Sequence, residues 1–177
     1  MPYNRLCNAG SRKDGESMQD ALPSVSVVVP IYNVERYLPQ CLEALCSQTL
    51  RDLEIVAVND GSTDGSLSVL QEWARKDERI VIVDKPNSGY GASMNCGIEA
   101  ARGAYIGIVE PDDFPERDMF KRLLRMAQRH DCDLVKCNFF EHYEDHDDRI
   151  RNFADFPYGR LFDPVEQPRI VCTSRRP

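Results

Sequence analysis

The sequence predicts an α/β protein of three layers, a mostly parallel sheet sandwiched between helices. Three features predict it. Short β-branched runs end at a proline or a polar turn, as strands buried on both faces do. Between them, apolar residues recur at three- and four-residue steps, the spacing of an amphipathic helix. Strand and helix alternate about every 25 residues, so neighbouring strands are joined by crossovers and run parallel.

Residues 1–22 are polar and aperiodic and read as a flexible leader. Val25-Ser-Val-Val-Val29 is the first strand, stopped by Pro30, and Val34, Tyr37, Leu38, Cys41, Leu42 and Leu45 mark the first helix. Leu53-Glu-Ile-Val-Ala-Val58 is the second strand, followed by a helix from about Asp64 carrying Leu67, Val69, Leu70 and Trp73. Ile80-Val-Ile-Val83 is the third. A small-residue helix from Ala92 to Ala101 follows it, with Gly103 placed to close its end. Ala104 to Val109 is the fourth strand, Pro115 to Gln128 the next helix, and Asp133 to Phe140 a fifth strand. From Glu141 the periodicity fails in a charge run, so 23–140 is read as the domain and 141–177 as the incomplete start of a further region.

Composition narrows the function. With 22 Lys+Arg against 29 Asp+Glu the net charge is −7, and 42% of residues are hydrophobic. That acidity argues against a nucleic-acid binder, which needs a basic surface to displace counterions. The opening residues lack the apolar stretch of a secretory signal. Seven cysteines without a CxxC pair read as free thiols of a reducing compartment, hence a cytoplasmic protein.

In an open parallel sheet, ligands bind where the loops gather at the carboxyl ends of the strands. Polar and acidic residues collect there. They are Pro30-Ile-Tyr-Asn33 with Glu35, Asn59-Asp-Gly-Ser-Thr-Asp64, Asn87-Ser-Gly-Tyr-Gly-Ala92, and Glu110-Pro-Asp-Asp113. Adjacent acids such as Asp112 and Asp113 repel one another unless a cation lies between them, and a hard divalent ion suits that need. An equally ordinary reading makes one of them the cap of the helix near Pro115. A capped turn likewise explains Gly61 to Asp64, but it leaves Asp60 without a task. Gly89, Gly91 and Gly97 either admit a diphosphate close to the backbone or pack a helix on the sheet. No GxxxxGK[ST] phosphate loop is present. His142 and His146 lie four apart but lack the HExxH pattern, and read as part of a solvated loop.

Taken in order, five segments resemble the family 2 glycosyltransferases, nucleotide-diphospho-sugar transferases of the GT-A fold. These are Val25 to Asn33, Gln48-Thr49, Glu54 to Ser66, Asn87 to Gly97, and Gly103 to Asp113. The resemblance implies that Pro30, Tyr32, Asn33 and Glu35 frame a nucleoside pocket and that Asp60 binds the base, usually uracil. It also implies that Asn87, Gly91, Ala92 and Asn95 line the nucleotide cleft. Glu110, Asp112 and Asp113 match the acidic DxD-type motif, where Asp112 and Asp113 hold Mg²⁺ or Mn²⁺ against the diphosphate. Glu110 departs from the usual Asp there, and Pro111 from a small polar residue.

The implied activity is inverting transfer from a nucleotide-sugar donor, a UDP-sugar, to a saccharide acceptor in cell-surface polysaccharide synthesis. A peripheral contact with the inner face of the membrane would suit that work. The family's catalytic base lies downstream of the acidic motif, and no match for it precedes Pro177. The expectation is a chain truncated after the donor-binding half. The alternative is a catalytically silent donor-binding or scaffolding module.

Overall fold

The computed structural model describes residues 22–142 and the backbone of 147–150. It divides into two units, one ending at Leu124 and the other beginning at Arg125.

The first unit is built on β1 (Val25–Ile31), β2 (Leu53–Asp60), β3 (Ile80–Lys85) and β4 (Tyr105–Ile108), in spatial order β3-β2-β1-β4 and parallel throughout. Every residue of β1 and β2 is buried, as the apolar runs predict for the two central strands. Helices α1 (Leu38–Cys46) and α2 (Ser66–Lys76), with Met119, Phe120 and Leu124 of α4 (Met119–His130), cover one face around Val27, Val29, Ile55 and Ala57. On the other face, Met94 of α3 (Tyr90–Ala100) packs against Val28, Val56 and Val58. Gly97 makes that approach possible, since a Cβ there would stand 2.3 Å from Val28 Cγ1. The fold is the three-layer α/β architecture that the alternation predicts.

A buried acid, Glu54, and a half-buried one, Asp77, hold cationic partners on the amino-terminal side of this sheet. Glu54 accepts hydrogen bonds from Ser26 Oγ at 2.6 Å, from the Arg102 backbone N–H at 2.9 Å and from Arg102 Nε at 2.8 Å. Burial opposes its charge, but these donors outweigh burial and hold its carboxyl below the ordinary value. Asp77 pairs with Arg79 at 2.6 Å, and that hydrogen bond depresses its pKa to about 2. Cys41 and Cys46 are thiols that burial pushes up to about 12, so neither ionises near neutrality.

Several element ends differ from the sequence reading. Gly103 does not close α3, whose cap residue is Ala101. It lies instead where a Cβ would stand 2.4 Å from the Ser26 backbone N, so its smallness serves close packing. Helix α3 begins two residues before Ala92, at Tyr90, and α4 begins at Met119, four beyond Pro115. The apolar stretch from Asp133 is not a fifth parallel strand. Only Phe139–His142 is extended (β5), and it pairs antiparallel with β6 (Asp147–Ile150) in the second unit. A run of apolar and aromatic residues carries strand propensity but no pairing direction. His142, read as loop, is therefore in a strand, while His146 lies outside the described residues. Among the described residues no helix is long and apolar enough to cross a membrane.

Two outcomes follow from this packing. Gly103→Ala destabilises the chain by about 1–3 kcal/mol, because the obstacle is backbone that cannot swing aside; the urea midpoint falls with its slope unchanged. Asp77 has a folded pKa of about 2 against an ordinary 3.8, so its contribution is complete above the ordinary value and fades as pH falls through the folded one. The urea-midpoint gap between wild type and Asp77→Asn is therefore full at neutral pH and narrows on acidification through that window.

Candidate functional site

All four parallel strands end on one rim, and hydrogen bonds tie each loop there to the next. The first and second loops are joined reciprocally. Asn33, in the left-handed region at φ 52°, accepts from the Thr63 backbone N–H at 2.7 Å and donates its own to Ser62 Oγ at 3.1 Å. Glu35 accepts from the Gly65 N–H at 2.8 Å and donates its backbone N–H to Asp64 Oδ2 at 3.1 Å. Gly65, not Asp64, is the cap position of α2, and Glu35 serves its exposed amide from the neighbouring loop. A side chain on Gly65 would collide with that carboxylate, 2.5 Å from the site of a Cβ. Residues 33–37 and Asp64 line a shallow groove of about 550 Å³. Tyr32 stands exposed beside Asn33, and Pro30 is buried within β1, beyond the end of its pairing with β4.

Asp60 joins the second loop to the third. It is 3% exposed, and its carboxylate accepts from the Ser88 N–H at 2.8 Å, the Gly89 N–H at 2.9 Å and the Lys85 ammonium. Burial works against the charged form, but Lys85 and the two amides prevail and lower its pKa. Lys85 also donates to Ser88 Oγ at 2.6 Å. Gly61, at φ +66°, lets the Asn87 backbone close in, since a Cβ would meet Asn87 N at 2.7 Å. Gly91, Ala92 and Asn95 lie exposed along α3, and nothing stands within 4 Å of a Cβ added at Gly91. Of the two readings of these glycines, packing therefore holds for Gly97, whereas Gly91 leaves the backbone open.

The fourth loop carries the acids. Pro111 is buried, Asp112 and Asp113 are exposed, and the Asp113 N–H donates to Glu110 O at 3.0 Å. Tyr90 Oη, from the third loop, donates to Glu110 Oε1 at 2.6 Å. Because α4 starts at Met119, where the Glu116 carbonyl accepts its N–H, neither Asp112 nor Asp113 caps that helix. Burial, then Asp112, then Glu110 raise the pKa of Asp113. No Lys, Arg or His among the described residues forms an ion pair with these three acids. Charge crowded in this way, carried by hard oxygen donors, fits a divalent cation. Among the described residues no three His, Cys, Asp or Glu side chains form a ready-made ligand cage. Such an ion would take one or two carboxylates here and complete its shell with phosphate oxygens and water.

Sequence reasoning missed the tasks of three contributors. Lys85 faces Asp60 only through strand register. Tyr90 reaches Glu110 only through the fold. Gln48 is fully buried and donates to Glu116 O at 2.8 Å, while its neighbour Thr49 donates its backbone N–H to the Arg117 carbonyl at 2.9 Å. The Gln-Thr pair thereby fixes the segment that follows the acids. The resemblance includes Gln48-Thr49, but nothing local in the sequence assigns the pair this task.

The family model described as "Glycosyl transferase family 2" matches residues 26–174. "Uncharacterized glycosyltransferase EpsJ" of Bacillus subtilis is 42% identical over 124 residues, which are 70% of this chain and 36% of that protein. "Glycosyltransferase GlyG" of Streptococcus pneumoniae is 39% identical over 139 residues, 78% of this chain and 45% of GlyG. The chain thus spans under half the length of these relatives. Among solved structures, S. aureus TarS 1-349 in complex with UDP has a TM-score of 0.58 at 27% identity, covering 61% of this chain and 33% of that one. The mannosyltransferase PcManGT from Pyrobaculum calidifontis, in complex with GDP-Man and Mn²⁺, has a TM-score of 0.56 at 26% identity, with 61% and 33% covered.

Removing Asp60 leaves the Lys85 ammonium buried without its partner, so Asp60→Ala costs about 3–5 kcal/mol of stability in urea titration. Adding Lys85→Met restores part of that loss, because the stranded charge goes with it.

Proposed function

Because the chain belongs to glycosyl transferase family 2, we propose that it forms the nucleotide-sugar-binding half of an inverting glycosyltransferase. Its donor is a UDP-sugar and its acceptor a saccharide of a cell-surface polysaccharide, with the work done on the cytoplasmic side. The observation that carries this reading is the acidic turn Glu110 to Asp113, crowded with uncompensated charge and tied directly to the loop that opens α3. The complexes of TarS with UDP and UDP-GlcNAc and of PcManGT with GDP-Man and Mn²⁺ support it by likeness.

Each residue then has a task. Asp112 and Asp113 hold Mg²⁺ or Mn²⁺. What the ion supplies when bound is positive charge against the diphosphate as the bond to the sugar breaks. The first turn of α3, with Gly91 and Ala92 exposed, turns unpaired backbone N–H groups toward the phosphates, and Asn95 lines the same cleft. Asp60 receives a base N–H on the lone-pair capacity that Lys85, Ser88 and Gly89 leave it. Pro30, Tyr32, Asn33 and Glu35 frame the nucleoside, Tyr32 offering an exposed ring for stacking, and Asn87 lines the nucleotide cleft with Asn95.

Calorimetry with UDP in the presence of Mn²⁺ tests this reading. Wild type binds, and Asp112→Ala with Asp113→Ala weakens binding tenfold or more, in keeping with the loss of a charge-assisted contact of about 1.5–3 kcal/mol. Equal affinity in the two proteins overturns the donor-site assignment.

A further inference from the structure

The acidic turn carries Glu110 where the family pattern has an Asp, and the structure gives the longer side chain a partner. Three hydrogen bonds and a neighbouring proline fix Glu110. Its carbonyl accepts the Asp113 N–H at 3.0 Å and the Cys41 thiol at 3.7 Å, and buried Pro111 stiffens the chain after it. Its carboxylate accepts the Tyr90 hydroxyl at 2.6 Å. Tyr90 is the first residue of α3, directly after Gly89 at φ +89°. The residue is 57% exposed, so packing does little to fix its side chain; its hydroxyl is committed to Glu110. A carboxylate one methylene shorter would sit about 1.5 Å farther back and lose that hydroxyl.

We infer that Tyr90 is a positioning residue for the acidic turn. By holding the Glu110 carboxylate toward the glycine loop, it leaves Asp112 and Asp113 to the cation and sets them at a fixed place relative to the first turn of α3. This rests on the donor-site reading above and adds to it a link between the phosphate-facing loop and the cation-facing loop. The hydrogen bond is to a charged acceptor, and charge-assisted bonds are about twice as strong as neutral ones. Its exposure to water brings the effect back to that of an ordinary hydrogen bond.

The test is a double-mutant cycle on the full chain, using Tyr90→Phe, Glu110→Ala and the pair. Mn²⁺ affinity is read by electron paramagnetic resonance at saturating UDP, and UDP affinity by calorimetry in EDTA. Tyr90→Phe is expected to weaken Mn²⁺ binding about fivefold while UDP affinity in EDTA moves less than twofold. In the Glu110→Ala background the same change has no further effect, since Tyr90 acts through that carboxylate. Thermal midpoints within 2–3 °C of wild type, about 1 kcal/mol or less for a chain of this size, show that the variants remain folded. Additive effects, or a Tyr90→Phe protein that binds Mn²⁺ as wild type does, overturn this inference and leave the donor-site reading standing. A wild type that retains no Mn²⁺ in the presence of UDP overturns both.

Discussion

The rim of this protein depends on one buried carboxylate. Asp60 ends the central strand β2 and takes the backbone amides of Ser88 and Gly89 together with the Lys85 ammonium. Those contacts set where the glycine loop runs and hence where α3 begins. A buried ion pair contributes little net stability against a well-packed apolar substitute, because desolvation offsets most of its attraction. What it does supply is a defined position, and the loops on either side are built from that position.

The contrast between Asp60 and the acidic turn is the informative one. Glu54 has Arg102, Asp77 has Arg79 and Asp60 has Lys85, buried or half-buried acids each with a cation beside it. Among the described residues, Glu110, Asp112 and Asp113 have one phenol among them and no cation, and burial together with its acidic neighbours raises the pKa of Asp113. Proteins bury charge in pairs because unpaired charge is costly. Asp112 and Asp113 are exposed instead, and on the proposed reading the positive charge they lack arrives with the ligand, on the rim where a parallel sheet gathers its loops.

Much of the site was legible in the chain. Two stretches of consecutive buried residues, β1 and β2, announced themselves as apolar runs, and the residues just past each run were bound to share an edge once the strands were parallel. The helix limits were less legible. Asp112 and Asp113 looked like caps because Pro115 and Glu116 follow them, yet Gln48, far away in sequence, draws that segment into hydrogen bonds with itself and delays α4 to Met119. Phe139 and Phe140 suggested another parallel strand, but pairing direction is set by the partner, and the partner is the β6 backbone that follows.

The sequence by itself determined the alternating strands and helices, the edge on which the polar loops gather, and the acidic turn, because periodicity and local composition act over neighbouring residues. Only the tertiary structure decided that Lys85 neutralises Asp60, that Glu35 serves the start of α2, and that Tyr90 reaches Glu110. Each of those pairs spans 20 residues or more of chain. Strand register and helix packing bring them together, and neither is written in any local stretch of residues.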